Sequence, residues 1–92
     1  MSFALHANYP NPFNPSTTIA YDLPERADVR IAVYNVMGQL VRMIVDRVES
    51  AGRHEVVWDG RDDAGITASS GLYIYRMTAG EFTQSRKMLL LK

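Results

Sequence analysis

Asn35-Val36-Met37-Gly38-Gln39-Leu40-Val41-Arg42-Met43-Ile44-Val45-Asp46-Arg47-Val48 is the stretch on which the fold turns. Its apolar positions 36, 37, 40, 41, 44, 45 and 48 fall on one face of a helix. The same residues also read as a turn and a strand. Leu40 to Asp46 then alternates, with Val41, Met43 and Val45 sharing a face. Gly38 would weaken a helix, and Asn35-Val36-Met37-Gly38 suits a hairpin turn with glycine at the position of positive φ. The β-branched Val41, Ile44 and Val45 favour the strand. Periodicity leaves both readings standing, so the neighbouring segments must decide.

Toward the N-terminus the period is two. Ala27 to Tyr34 puts Val29, Ile31 and Val33 on one side and Asp28, Arg30 and Ala32 on the other. Thr17 to Leu23 does the same with Ile19, Tyr21 and Leu23. Pro24-Glu25-Arg26 is a turn between them, and the two runs are expected to pair antiparallel. Before them comes Tyr9-Pro10-Asn11-Pro12-Phe13-Asn14-Pro15. Proline fixes its own φ and pushes the preceding residue toward extended geometry. The segment is expected to be polyproline-like, anchored by Tyr9 and Phe13. Residues 1–8 are expected to be a lead-in, a linker or a remnant of cloning, on a piece from the end of a longer chain.

Toward the C-terminus the pattern stays extended. Arg53 to Trp58 places His54, Val56 and Trp58 on one face, and Leu72 to Ala79 groups Tyr73, Tyr75 and Met77. Gly80-Glu81 is a two-residue hairpin turn, and Phe82 to Leu91 is a last strand with Phe82, Met88 and Leu90 together. Turns recurring at roughly 8–12 residues are the spacing of a β-sandwich. The expected fold is all-β, an antiparallel immunoglobulin-like sandwich of about seven strands. Its core should hold Ile19, Tyr21, Val29, Ile31, Val33, Val56, Trp58, Tyr73, Tyr75 and Met88.

Composition narrows function. The 92 residues make one domain with 47% apolar residues and no cysteine, so neither disulfide nor thiolate chemistry is available. Ten basic residues balance ten acidic ones, which argues against nucleic acid as a partner. No apolar run approaches the length of a membrane-spanning helix, so no membrane insertion is expected. Met1 to Leu5 is too short for a signal peptide. A monomer without cofactors is expected.

Candidate chemistry is sparse. Asp59, Asp62 and Asp63 offer oxygens to a metal, but not at EF-hand spacing, and the preferred reading is a turn whose aspartates bond their own backbone. On that reading a chelator leaves the melting temperature unchanged. His6 and His54 have no serine and acid at a recognisable spacing, so no catalytic residue is assigned and no enzyme is expected. Trp58, Tyr73 and Tyr75 could form a platform for sugar, but all lie at core parity. Arg86, Lys87 and Lys92 make the last strand basic, which either discourages edge-to-edge pairing or faces a partner.

Several of these segments together are familiar. Tyr-Pro-Asn-Pro-Phe-Asn-Pro-Ser-Thr-Thr-Ile at positions 9 to 19 precedes Val33-Tyr34-Asn35-Val36-Met37-Gly38-Gln39-Leu40-Val41. Then come Ala51-Gly52-Arg53-His54, Val57-Trp58-Asp59-Gly60-Arg61-Asp62-Asp63-Ala64-Gly65, Ser70-Gly71-Leu72-Tyr73-Ile74-Tyr75 and Arg86-Lys87-Met88-Leu89-Leu90. Positions 9 to 92 resemble the carboxy-terminal sorting domain of type IX secretion cargo. They are also similar to the Ig-like domain of flagellar hook-capping proteins. The resemblance implies a seven-stranded sandwich, which turns the disputed stretch into strand. It also implies a place at the end of a larger secreted protein, periplasmic transit, and a final location outside the cell or on its surface. The implied partners are the outer-membrane secretion machinery, its processing protease and the cargo domain. The implied sorting residues are Pro10, Asn11 and Pro12, Gly71 and Tyr73, and Arg86, Lys87 and Lys92, with the last strand read as an edge open to a partner. The other reading is a passive spacer, or a polysaccharide-binding module, on a secreted enzyme.

Overall fold

The disputed stretch is a strand. The computed structural model describes residues 1–92 as seven strands in two antiparallel sheets, without a helix. The strands are β1 (Ala4–Leu5), β2 (Thr17–Leu23), β3 (Ala27–Asn35), β4 (Leu40–Glu49), β5 (Gly52–Trp58), β6 (Gly71–Ala79) and β7 (Phe82–Leu90). One sheet runs β1-β2-β5 and the other β4-β3-β6-β7. No helix is long and apolar enough to cross a membrane.

Two β-bulges explain why β4 imitates a helix. Val45 stands opposite Ile31 and Met43 opposite Ala32, so Ile44 is an extra residue. Arg42 stands opposite Val33 and Leu40 opposite Tyr34, so Val41 is another. Each extra residue resets the alternation. Val41, Ile44 and Val45 therefore all pack on the core, at helix-like intervals, while Met43 leaves the face that strict alternation assigned to it.

The expected pairing of the two N-terminal runs is corrected. β2 pairs with β1 and β5, whereas β3 pairs with β4 and β6. The Pro24-Glu25-Arg26 link crosses from one sheet to the other. Alternation reports which face is buried, not which strand lies alongside. Placed in opposite sheets, Ile19, Tyr21 and Leu23 bury against the layer of Val29, Ile31 and Val33. The expected core residues are buried except Val56, which is half-buried at the margin.

The N-terminal segment is also corrected. Leu5 is buried, and β1 pairs Ala4 with Asp22 and Leu5 with Tyr21. Arg86 Nε donates to Leu5 O at 2.7 Å, Tyr75 Oη donates to His6 O at 2.7 Å, and Phe3 stacks on Phe82 at 5.5 Å. Residues 3–8 thus belong to the sandwich rather than leading into it. The proline segment is a series of bends, not a polyproline helix, with cis bonds before Pro10, Pro12 and Pro15. Asn8 Nδ2 donates to Thr17 Oγ1 at 3.0 Å, and that hydroxyl donates to Pro10 O at 2.9 Å. Phe13 is buried as expected, but Tyr9 is 69% exposed; its backbone, not its side chain, anchors it through two 2.9 Å bonds with Thr18.

A polar cluster closes the margin where β4 turns into β5. The Tyr21 hydroxyl donates to Glu49, whose carboxylate also lies 3.1 Å from His54 Nδ1, and the His54 ring stacks on Tyr21 at 5.4 Å. Burial, then the bond to Glu49 and its charge, raise the Tyr21 phenol well above the usual tyrosine range. Burial raises Tyr75 likewise. An unfolded tyrosine ionises near 10. Both folded values lie above that, so their stabilising contribution is complete below pH 10 and is lost as the pH rises beyond it. Thermal melts across this range should show the melting temperature falling above about pH 10, less steeply in Tyr21→Phe.

Candidate recognition site

The three segments singled out by the sequence meet at one end of the sandwich. Phe13 N donates to Leu89 O and Leu91 N to Phe13 O, each at 3.0 Å. Asn11 Oδ1 accepts from Leu89 N at 3.0 Å. The start of β6 lies on the other side of the same strand, with Gly71 opposite Leu90 and Tyr73 opposite Met88. Lys92 N donates to Ser70 Oγ at 3.0 Å, closing the end.

Within this arrangement the candidate residues divide by exposure. Pro10, Asn11, Pro12, Lys87 and Lys92 are exposed, and Lys87 has no ion-pair partner in the chain. Tyr73 is buried. Its hydroxyl donates to Ser69 O, four residues upstream, at 2.7 Å. A tyrosine at the start of this strand bonding back across the corner is the tyrosine corner of immunoglobulin-like sandwiches. The Gly71-Leu72-Tyr73 motif therefore has a structural use, with Tyr73 inside. Tyr73→Phe keeps the ring and removes one hydrogen bond, so urea denaturation should register a loss of about 1 kcal/mol. Arg86 is half-buried and its guanidinium holds β1. The open edge expected for β7 is partly closed: Asn11 and Phe13 occupy the outward backbone groups of Leu89 and Leu91.

Trp58 lies under this end with no exposed surface. It meets Phe13 at 5.6 Å and the Tyr73 edge at 5.4 Å, and Nε1 donates to Arg61 O at 2.9 Å. Trp58, Tyr73 and Tyr75 are interior, so these rings offer no face to a sugar. Sequence reasoning missed Asn8 and Thr17, which tie the proline segment down, and Gly60, whose missing side chain lets the Pro15 carbonyl approach. The Asn8–Thr17 bond spans nine residues, a distance that no local pattern encodes.

The aspartate loop behaves as turns. Asp59 Oδ1 accepts from Arg61 N at 3.1 Å, and Asp62 Oδ1 accepts from Ala64 N at 3.0 Å and Ile66 N at 2.9 Å. Asp63 N donates to Val41 O at 3.0 Å, so the loop covers part of the β4 edge. No three His, Asp or Glu side chains converge on a common point. His6 Nε2 lies 2.8 Å from Asp22 Oδ2 and 2.8 Å from Arg53 Nη2. As N–H it donates to the carboxylate; as a lone pair it accepts from the guanidinium. The hydrogen bonds from His6, then Arg53, hold the Asp22 carboxyl below its usual range. Neither imidazole bonds a serine or threonine hydroxyl.

Comparison with known proteins agrees with this architecture. No curated protein sequence matches the chain. A domain of dimeric latent PorU from Porphyromonas gingivalis superposes with a TM-score of 0.78 at 20% identity, covering 99% of this chain and 10% of that one. PorZ of the same organism gives 0.64 at 17% identity, covering 99% and 12%. FLGD from P. aeruginosa gives 0.59 at 24% identity, covering 82% and 60%. The chain thus spans about a tenth of PorU and of PorZ. At these identities the likeness is one of fold. The family model of the FlgD Ig-like domain matches residues 13–81, most of the chain, and this protein belongs to that family.

Proposed function

We propose that this chain is a non-catalytic domain of a larger secreted protein and acts as a sorting signal for type IX secretion. The observation that carries the reading is the meeting of the proline segment, the Gly71–Tyr73 corner and the end of β7 at one pole, where Asn11, Pro12 and Lys92 are exposed, with Lys87 exposed further along β7, opposite Ile74. Segments far apart in sequence thereby form one surface that exists only in the folded domain. The outer-membrane machinery would read that surface after periplasmic transit, and a processing protease would act on the cargo afterwards. PorZ is described as an essential bacterial surface component of the type-IX secretion system, and it contains a domain of the same fold. That association supports the reading.

Lys87 provides the test. Its side chain is exposed and outside the core, so Lys87→Ala should change stability by no more than about 0.5 kcal/mol. In a fusion expressed in a host with the type IX system, Lys87→Ala should reduce the cargo reaching the surface, and Lys87→Glu should reduce it further. Equal export of the parent and both folded variants would make this strand scaffold and favour a passive spacer.

A further inference from the structure

A sheet edge with unpaired backbone groups is a template for another strand, and natural sandwiches cover or disrupt their edges. Three of the four edges here are managed. β1 is two residues long. β4 carries two bulges and is crossed by Asp63. β7 is met by Asn11 and Phe13 at its end and by β1 along its side. β5 is the exception.

The direction of its backbone groups follows from β2. Thr18 bonds Tyr9, and Ala20 O accepts from His6 N, so these residues point toward β1. The alternate residues Thr17, Ile19, Tyr21 and Leu23 therefore point toward β5, where they face Trp58, Val56, His54 and Gly52. That leaves the N–H and C=O groups of Arg53, Glu55 and Val57 pointing outward, and no group of the chain bonds them. All three side chains are exposed, and Glu55 has no ion-pair partner in the chain.

We propose that β5 is a self-association edge, along which two copies pair antiparallel with Arg53 of one opposite Glu55 of the partner subunit. The charges favour this register over the one centred on Glu55. Outward groups must meet outward groups, so only alternate registers are available. Placing Glu55 opposite itself sets like charges face to face, which is unfavourable. Placing Arg53 opposite Glu55 sets opposite charges across the edge twice, because the two-fold axis through His54 repeats the pair. Arg53 already reaches Asp22 at 3.0 Å, and its fork has further N–H donors for the second carboxylate. In that register Ala51 lies opposite Val57, which is 59% exposed in the single chain. The two three-stranded sheets become one six-stranded sheet across the dimer, in place of the monomer expected from the sequence.

Sedimentation of the intact 92-residue chain over a concentration series tests this. The parent should dimerise with increasing concentration. Glu55→Arg places like charges across the edge and should weaken association roughly tenfold or more, with the melting temperature unchanged at concentrations low enough for the parent to be monomeric. Arg53→Glu should weaken self-association comparably. An equimolar mixture of these two variants restores both opposite-charge pairs and should form a heterodimer. A parent that stays monomeric throughout, a Glu55→Arg variant that dimerises like the parent, or variants that do not combine would each overturn the proposal.

Discussion

Trp58→Ala should destabilise the domain by about 3–5 kcal/mol, the range for truncating a fully buried aromatic. The expectation rests on position as much as size. Trp58 belongs to β5 in one sheet, Tyr73 to β6 in the other, and Phe13 to the proline segment, and their rings meet at 5.4 to 5.6 Å. Removing the indole opens a cavity where all three parts join, and Arg61 O loses its 2.9 Å donor. For a domain this small the loss is a large share of total stability. Trp58→Phe retains most of the apolar burial and should cost less. Denaturant melts of the two variants separate packing from the hydrogen bond. A Trp58→Ala variant as stable as the parent would mean that the indole is not the keystone of this end.

Gly60→Ala is the second large effect. Gly60 sits at φ +77°, where an L side chain is strained, and an added Cβ would lie 2.7 Å from the Pro15 carbonyl oxygen. That oxygen is backbone and cannot rotate away. The strained φ alone costs about 1–3 kcal/mol, and displacement of Pro15 adds to it. Gly65 supplies the control. It has a similar φ of +82°, with nothing within 4 Å of the added atom. Thermal melts should therefore show Gly60→Ala losing clearly more than Gly65→Ala, and equal losses would contradict the close approach.

These residues also show what the sequence could and could not convey. Alternation in Thr17–Leu23 and Ala27–Asn35 identified the core faces, because a strand's side chains change sides at every residue, although Ala32, assigned outward, is itself buried outside the core cluster. It could not assign those strands to sheets, since facing and adjacent strands carry the same pattern. β4 defeated periodicity through its extra residues at Val41 and Ile44, which convert a period of two into intervals resembling a helix. The interior role of Phe3–Asn8 was illegible because β1 is two residues long, too short for any period to appear. At the candidate site the exposed side chains, Pro10, Pro12, Lys87 and Lys92, were legible as proline punctuation and a basic strand. The meeting of the proline segment with β7 depends on bonds such as Asn11 to Leu89, which span 78 positions. Tyr73 is a sorting residue on the resemblance, and its hydroxyl is bonded to Ser69 O in the corner.

That distinction bears on how a sorting signal of this kind would work. A linear signal survives unfolding, whereas a surface assembled from the proline segment, β6 and β7 does not. Trp58→Ala and Gly60→Ala should therefore impair export only so far as they unfold the domain, while Lys87→Ala should impair it in a folded one. On the reading proposed above, residues 1–92 carry an export signal for the type IX route. That reading is tested most directly by fusing them to a periplasmic reporter and measuring reporter at the cell surface, in a host with the type IX system and in the same host lacking its translocon. Surface reporter is expected in the first strain and periplasmic retention in the second. Retention in both strains, or arrival at the surface in both, would contradict it.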